Sequence, residues 1–581
     1  MTPTIKLAEY LFQRLKQLEI TSVHGVPGDF NLTLLDYVEP AGLTWVGNAN
    51  ELNAGYAADG YARIKGAGAL ITTFGVGELS AINAIAGAYS ERAAVVHVVG
   101  TPPRAMQDGR AHIHHTFNDG EFGRFALMHE HVTVAQANLR DPRTAPEQID
   151  EVLRQCLLHS RPVYISVPVD MVDTIVSSDR LSTNITIPEG IWGQAQDDAL
   201  SRVVDRFQKA KQPVILVDGE IRALRIVDEV QELSAKTNWP TWTSTYAKGL
   251  LNESASNHHG IKKGNWDDEI VKSFWKDADL VLWLGPHAST TNSYGGSALP
   301  NLEKTISFTD TEIKIGAESY RDIPAKQALR KLLAELDKDM GKVECYKTYP
   351  TLPKDQVLSC FEADVNMHGK ITQDKLWRIL AGFLQPGDVV LGETGTPGYG
   401  CRDMVLPPDT RLFTPVTWLS IGYMLPAAQG AALAQRELIQ DEKWAGGKEG
   451  RTILLIGDGS FQMTVQEIGT IIRLELPVII FLFNNDGYTI ERCIHGVRQG
   501  YNDVARWKYI QAPSFFGAKD GTYTAQARTW AELEYTLSDE ELLGGMGVRM
   551  VEVFLDKEDA PDGALRDMME TQWKIEDAKK Q

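Results

Sequence analysis

The chain has 581 residues, with 58 lysines and arginines against 77 aspartates and glutamates, a formal net charge of −19. A hydrophobic content of 43%, a charged content of 23% and 50 glycines exclude a disordered, collagen-like or coiled-coil protein. The acidic balance argues against nucleic-acid binding and against docking on an anionic membrane, so an anionic substrate would need a local counter-charge. At roughly 100–200 residues per domain, the length predicts three to five domains. The five cysteines are scattered, odd in number and form no C-x-x-C, which suits a reducing compartment, the cytoplasm. The N-terminal Met1-Thr-Pro-Thr-Ile-Lys6 has no charged leader followed by an apolar core, and apolar runs such as Leu476–Phe483 are too short to span a bilayer.

Short apolar runs alternate with helical patterns in three blocks, the signature of α/β architecture with parallel sheets. In the first block the predicted strands are Ser22–His24, Thr44–Val46, Ala69–Thr73, Val95–Val99 and Val163–Val167, with helices over Leu52–Ile64 and Leu79–Tyr89. A polar stretch from Ser177 to Gln196 reads as a linker. The second block has predicted strands at Val214–Val217, Thr241–Thr243, Leu280–Leu284 and Thr305–Phe308, then a charged helix over Ala325–Asp339. A loose segment over Lys347–Gln356 leads to the third block, which opens near Thr372. Its predicted strands are Val389–Leu391, Thr452–Ile456, Val478–Phe483 and Arg549–Phe554, with a helix over Phe461–Leu474. The charged tail from Lys557 reads as a surface helix, and His258-His259 as part of an exposed polar loop.

Neither a Walker A sequence nor G-x-G-x-x-G is present. The sharpest motif is Gly457-Asp458-Gly459-Ser460, followed by Asn484-Asn485-Asp486-Gly487. Each follows a predicted strand, so one strand–helix–strand unit brings both to the same carboxyl edge of a sheet, where such folds bind ligands. Asp458 and an asparagine oxygen of the second motif could share one hard divalent cation, completed by a backbone carbonyl and diphosphate oxygens, while Gly457 and Gly459 let a diphosphate approach the following helix N-terminus. Alone, either motif is also a good turn sequence; their pairing across one βαβ unit favours the cation site.

The GDGS…NN spacing resembles the metal and diphosphate motif of thiamine diphosphate enzymes. Gly25-Val-Pro-Gly-Asp-Phe-Asn31, Asn48-Ala-Asn-Glu-Leu-Asn-Ala54, Thr73-Phe-Gly-Val-Gly-Glu-Leu79, His114-His115-Thr116 and Gly487-Tyr-Thr-Ile-Glu491 resemble the pyruvate decarboxylase branch of that family, in order along nearly the whole chain. The resemblance implies three doubly wound parallel-sheet domains: pyrimidine-binding over 1–180, central over 197–345, and diphosphate- and magnesium-binding over 370–556. It implies thiamine diphosphate and Mg2+ as cofactors, a small 2-oxo acid as substrate, and a homodimer or homotetramer with each cofactor between protomers.

The family's roles carry over residue by residue. Glu51, by position alone a favourable acid at a helix start, matches the glutamate that bonds the aminopyrimidine and promotes formation of the thiazolium ylid. Asp29, with a helix N-cap as the bland alternative, matches a proton donor together with His114, His115 and Glu491. Adjacent histidines point different ways and are poor candidates for a shared zinc. Thr396, in Glu393-Thr394-Gly395-Thr396, matches a cofactor-contact loop. Ile421 matches the apolar wedge that bends the cofactor, and Leu419 stands where many relatives have glycine. Only Cys345 falls in the central block, so activation through a central-domain cysteine is not expected.

The reading is therefore non-oxidative decarboxylation of a 2-oxo acid, pyruvate first, to an aldehyde and carbon dioxide. The alternatives are the same chemistry on aromatic or branched-chain acids, a flavin-bearing carboligase of the acetolactate synthase type, and an inactive scaffold. For the larger acids speak Gly398, where alanine is frequent in pyruvate-selective relatives, and the small Cys493 beside Glu491.

Overall fold

The computed structural model describes residues 3–339, 346, 348–447 and 450–578; Cys345 lies outside them. A short ladder pairs β1 (Thr4–Lys6) with β8 (Ile175–Ser177) in antiparallel fashion. Between them β2 (Ser22–Gly25), β3 (Thr44–Trp45), β4 (Gly68–Thr73), β5 (Val95–Thr101), β6 (Gln136–Asn138) and β7 (Val163–Pro168) form a parallel sheet in the order β3-β2-β4-β5-β7-β6. The central sheet takes β9 (Pro213–Val217), β10 (Thr241–Thr243), β11 (His258–Ile261), β12 (Leu280–Leu284), β13 (Thr305–Phe308), β14 (Glu312–Ile315) and β15 (Glu318–Arg321). Its order is β11-β10-β9-β12-β13-β14-β15, and the last two strands join antiparallel, a departure from the all-parallel expectation.

The third sheet is parallel, with β16 (Val389–Gly392), β17 (Arg411–Phe413), β18 (Thr452–Gly457), β19 (Val478–Asn484), β20 (Thr524–Ala527) and β21 (Arg549–Phe554) in the order β17-β16-β18-β19-β21-β20. Numbered from its own first strand, each outer sheet runs 2-1-3-4-6-5. The first and third blocks are thus the same topology used twice.

The strands absent from the sequence reading are β1, β8, β6, β11, β14, β15, β17 and β20. In the three main sheets all but β14 lie at a sheet edge, where half the ladder faces away from the core and hydropathy patterning is weak. One of them corrects the histidine pair: His258 and His259 lie in β11, only 5% and 6% exposed, with His259 Nε2 2.6 Å from the Tyr349 hydroxyl. Burial lowers both imidazoles to about 4, so they are neutral packing groups.

The predicted Phe461–Leu474 helix is two helices, Asp458–Thr464 and Glu467–Arg473. At the break, polar groups turn toward the first domain: the Thr464 carbonyl accepts from Asn53 at 3.5 Å, and buried Glu467 accepts from Asn48 Nδ2 at 2.7 Å. The tail helix, Ala564–Ala578, is more than a surface element. Leu565 and Met569 are buried with Cys493, Val497 and Ala560, so it covers helix Thr489–Ile494.

Two helices join the outer domains. Glu51–Lys65 starts where Asn50 accepts the Asn53 N–H at 2.8 Å and stops at Gly66, whose φ of 100° is open to glycine. It crosses Met424–Gln440 on a seam of alanine and glycine. A Cβ at Gly60 would lie 2.1 Å from the Ala427 carbonyl oxygen, and one at Gly430 1.9 Å from that of Ala57. The backbones are in direct contact, so the position of Glu51 is set by the third domain.

Candidate active site

Strands β18 and β19 pair in register up to Gly457 opposite Phe483, which puts Asp458 and Asn485 at one sheet edge as the spacing predicted. Asp458 is 1% exposed; its Oδ1 accepts the Gly459 N–H at 2.9 Å and its Oδ2 the Gly487 N–H at 3.0 Å. Burial pushes its carboxyl up to about 7. The Asn485 side-chain oxygen lies 2.7 Å from the Gly487 carbonyl oxygen and 3.0 Å from Asp458 Oδ1. Turning the amide would convert both approaches into hydrogen bonds. The Thr489 hydroxyl argues for the orientation present: it donates to the Lys557 carbonyl at 3.0 Å, leaving a lone pair for the Asn485 amide nitrogen 2.9 Å away.

In that orientation three oxygens converge, an arrangement that a cation would relieve. Neighbouring ligands of an octahedral Mg2+, each about 2.1 Å from the ion, lie about 3 Å apart, so the set fits the ion that the motif implies. Gly487, at φ 136°, would place a Cβ 2.1 Å from the Asn502 carbonyl oxygen, and Gly459 one 2.4 Å from the Tyr488 ring. Both glycines are required by close approach. Ser460 is buried beside them, and Glu491 is exposed on helix Thr489–Ile494.

Thr396 is buried at the start of helix Thr396–Gly400. The fully buried Glu393 ties its loop to the one carrying Leu419 and Ile421, accepting from the Thr394 N–H at 2.8 Å and the Met424 N–H at 2.9 Å. Burial raises the Glu393 carboxyl to about 7. Leu419 has a φ of 57°, the left-handed region that favours glycine. Its strain is held by Glu91 (1% exposed), whose Oε1 accepts the N–H groups of Val416, Thr417 and Trp418 at 2.9–3.2 Å.

The first domain gathers a second group. Asp29 Oδ2 is 2.5 Å from His114 Nε2, and its Oδ1 is 4.0 Å from His115 Nδ1. The expectation that the neighbouring histidines diverge is corrected: His115 at φ 64° turns its ring back, so both face Asp29, with ligating atoms within 4.8 Å of one another. Phe30 stacks on His114 at 5.2 Å. Asp29 is no helix cap; Asn31 precedes helix Leu32–Leu35. Glu51, half-buried, opens its helix with its Oε1 3.2 Å from where a Cβ on Gly77 would stand.

Among the described residues no hydrogen bond or ion pair joins Asp29, Glu51, His114 or His115 to Asp458, Asn485 or Glu491. The first domain carries one half of the candidate site and the third domain the other.

Two hints of a roomier substrate site lose their basis. A Cβ on Gly398 would meet the Glu393 carbonyl oxygen at 2.8 Å and Thr414 Oγ1 at 2.9 Å, not open space. Cys493 is 1% exposed and packs under the tail helix. Two buried acids without a role in the sequence reading, Glu78 and Glu91, share one signal: a carboxylate directly after a run of apolar or small residues.

Three family models match in order: the N-terminal thiamine pyrophosphate-binding domain over 5–122, the central domain over 200–336 and the C-terminal thiamine pyrophosphate-binding domain over 398–551. The chain belongs to the thiamine pyrophosphate enzyme family. It is 53% identical over 565 residues to a pyruvate decarboxylase of Aspergillus parasiticus, covering 96% of both chains, and 40% identical to one of Aspergillus terreus, covering 96% and 95%. Within the family it falls in the pyruvate decarboxylase branch. The fold is also that of a thiamine diphosphate-dependent 4-hydroxybenzoylformate decarboxylase of Rhodococcus jostii, at a TM-score of 0.73 and 18% identity over 95% of this chain and 99% of that one.

Proposed function

We propose that this chain decarboxylates pyruvate non-oxidatively, using thiamine diphosphate and Mg2+. The observation that carries the reading is the meeting of Asp458, Asn485 and Gly487 at the carboxyl edge of a family-matched domain, where their oxygens could share a cation. Asp458, Asn485 and the Gly487 carbonyl would hold Mg2+, and Gly459 and Ser460 would face the cofactor diphosphate. Thiamine diphosphate, when bound, supplies the electron sink for the pair left by the departing carboxylate.

The chain's own groups orient and protonate. Glu51 would bond the aminopyrimidine ring of the cofactor and assist proton transfer there. Thr396, Leu419 and Ile421 would contact the cofactor from the two loops that Glu393 clamps. Asp29 and His114, 2.5 Å apart, would with His115 and Glu491 deliver the proton that replaces carbon dioxide. One carbon–carbon bond breaks, one carbon–hydrogen bond forms, and no electrons leave the substrate.

In keeping with the family resemblance, the chain would form a homodimer or homotetramer whose cofactor sits between the Glu51 half of one protomer and the Asp458 half of another. The proposed domain limits are 1–180, 197–345 and 370–556. The described cysteines are all unpaired and buried, which suits the cytoplasm, and no helix among the described residues is long and apolar enough to cross a membrane. Comparison of kcat/KM for pyruvate and phenylpyruvate tests the substrate: a tenfold preference for phenylpyruvate, about 1.4 kcal/mol in the transition state, overturns it. Glu51→Gln tests the site. Turnover is expected to fall at least a hundredfold with thiamine diphosphate still bound, and wild-type turnover would remove Glu51 from its role.

A further inference from the structure

The segment Thr73–Gly77, from the end of β4 through the turn Phe74–Gly75 to the start of helix Val76–Ser90, packs against the segments that carry Asp29, Glu51 and His115. A Cβ on Gly28, beside Asp29, would lie 2.7 Å from Thr73 Cβ; one on Gly75 would lie 2.2 Å from the His115 carbonyl oxygen; Gly77 backs onto Glu51. The Phe74 ring sits 5.0 Å from Phe30 and 6.0 Å from His115. Gly75 itself has φ 64°, so the turn needs something to hold it.

Glu78, 1% exposed, is what holds it. Its Oε1 accepts the Gly75 N–H at 2.8 Å and its Oε2 the Tyr164 hydroxyl at 2.9 Å. We propose that Glu78 is a positioning residue for the catalytic groups of the first domain, gripping through Gly75 the turn on which the Asp29, Glu51 and His115 segments rest. The inference deepens the proposed function and rests on its assignment of those three residues.

The groups facing Glu78 are Tyr164 on β7, His129 on helix Arg124–Glu130, with Nδ1 3.6 Å from Oε2, and His97 on β5 beside His129. The His129 Nδ1–H donates to the Phe125 carbonyl at 3.0 Å. Burial lowers both histidines and raises the tyrosine, leaving all three neutral around pH 7. Glu78 alone titrates there, its carboxyl raised to about 7 by burial. A cavity of about 170 Å³, lined in part by Glu78, Tyr164, Thr101, Gln107 and Ser166, gives it a route for exchanging its proton. A proton on Oε1 costs the Gly75 bond, whereas one on Oε2 lets the Tyr164 oxygen accept in turn. The grip therefore loosens below pH 7 only as far as Oε1 is protonated.

The test compares wild type, Glu78→Gln and His115→Ala, saturated with Mg2+ and thiamine diphosphate, from about pH 5.5 to about pH 8.5. The glutamine has one acceptor oxygen and mimics the protonated acid. Glu78→Gln is expected to lower kcat about tenfold at pH 8 with KM changed less than about twofold, and the gap from wild type should close below pH 6. Hydrogen–deuterium exchange should quicken in peptides covering 73–78 and 112–118 and stay unchanged over 455–490. Wild-type kcat at every pH overturns the proposal, as does a loss uniform across pH with exchange faster throughout the domain. If His115→Ala turns over like wild type, the site reading itself fails, while the exchange pattern still decides whether Glu78 grips the turn.

Discussion

The crossing of helices Glu51–Lys65 and Met424–Gln440 makes one substitution a sharp probe, Gly430→Ala. The added Cβ would lie 1.9 Å from the Ala57 carbonyl oxygen, against the 3.0 Å below which real Cβ contacts essentially never fall. The helices must therefore separate by about 1 Å, since a backbone carbonyl has no rotamer to yield. Overpacking costs about 3 kcal/mol at the upper end of its range, and alanine's better helix propensity returns about 1 kcal/mol, leaving a net loss of about 2 kcal/mol. For domains of this size that is a fall of about 4–8 °C in the unfolding midpoint. The displaced helix carries Glu51 at its N-terminus, and a shift of about 1 Å in a catalytic group is worth about a hundredfold in rate. Calorimetry and kcat/KM for pyruvate read the two effects. Gly469→Ala is the control, because on helix Glu467–Arg473 a Cβ there meets nothing closer than the Phe516 ring at 4.0 Å. A Gly430→Ala protein that melts and turns over like Gly469→Ala would refute the argument.

Other outcomes follow from single contacts. Leu419→Asn should keep the unfolding midpoint, because asparagine tolerates the left-handed region, whereas Leu419→Val should lose about 1 kcal/mol or more. The Glu393 carboxyl is raised from 4.5 to about 7, so its contribution is fully present below 4.5 and is lost as pH rises through 7, by up to about 3 kcal/mol. Wild-type stability in urea should accordingly fall more between pH 5 and pH 8 than that of Glu393→Gln, and parallel curves would count against a buried titrating acid. Gly398→Ala should lower the midpoint without changing the ratio of phenylpyruvate to pyruvate turnover, since its Cβ faces protein rather than substrate.

The paired GDGS and NNDG motifs were legible because a βαβ unit fixes where its strand ends lie, and the register of β18 on β19 puts them there. Central strands were legible too, being buried on both faces and apolar throughout. Edge strands such as β11 and β17 were not, and their absence turned His258-His259 into a supposed loop. Family resemblance named Asp29, Glu51, His114 and His115 but gave no hint of what aims them.

The sequence by itself placed candidate cation ligands, because a cation site needs particular oxygen donors at particular strand ends and those are written in order along the chain, and its resemblance to thiamine diphosphate enzymes named the class of chemistry. It also posed the puzzle of an acidic protein holding an anionic cofactor, with a charge of −19. Only the tertiary structure decided that three oxygens converge where a cation would sit, that both histidines turn onto one aspartate, and that Glu78 and Glu393 lie buried behind the reacting groups. Each of these depends on which distant segments meet, as when Gly75 packs beneath His115 or Gly430 against Ala57. Local patterning specifies elements, but contacts between segments far apart in sequence are fixed only by close packing of the whole.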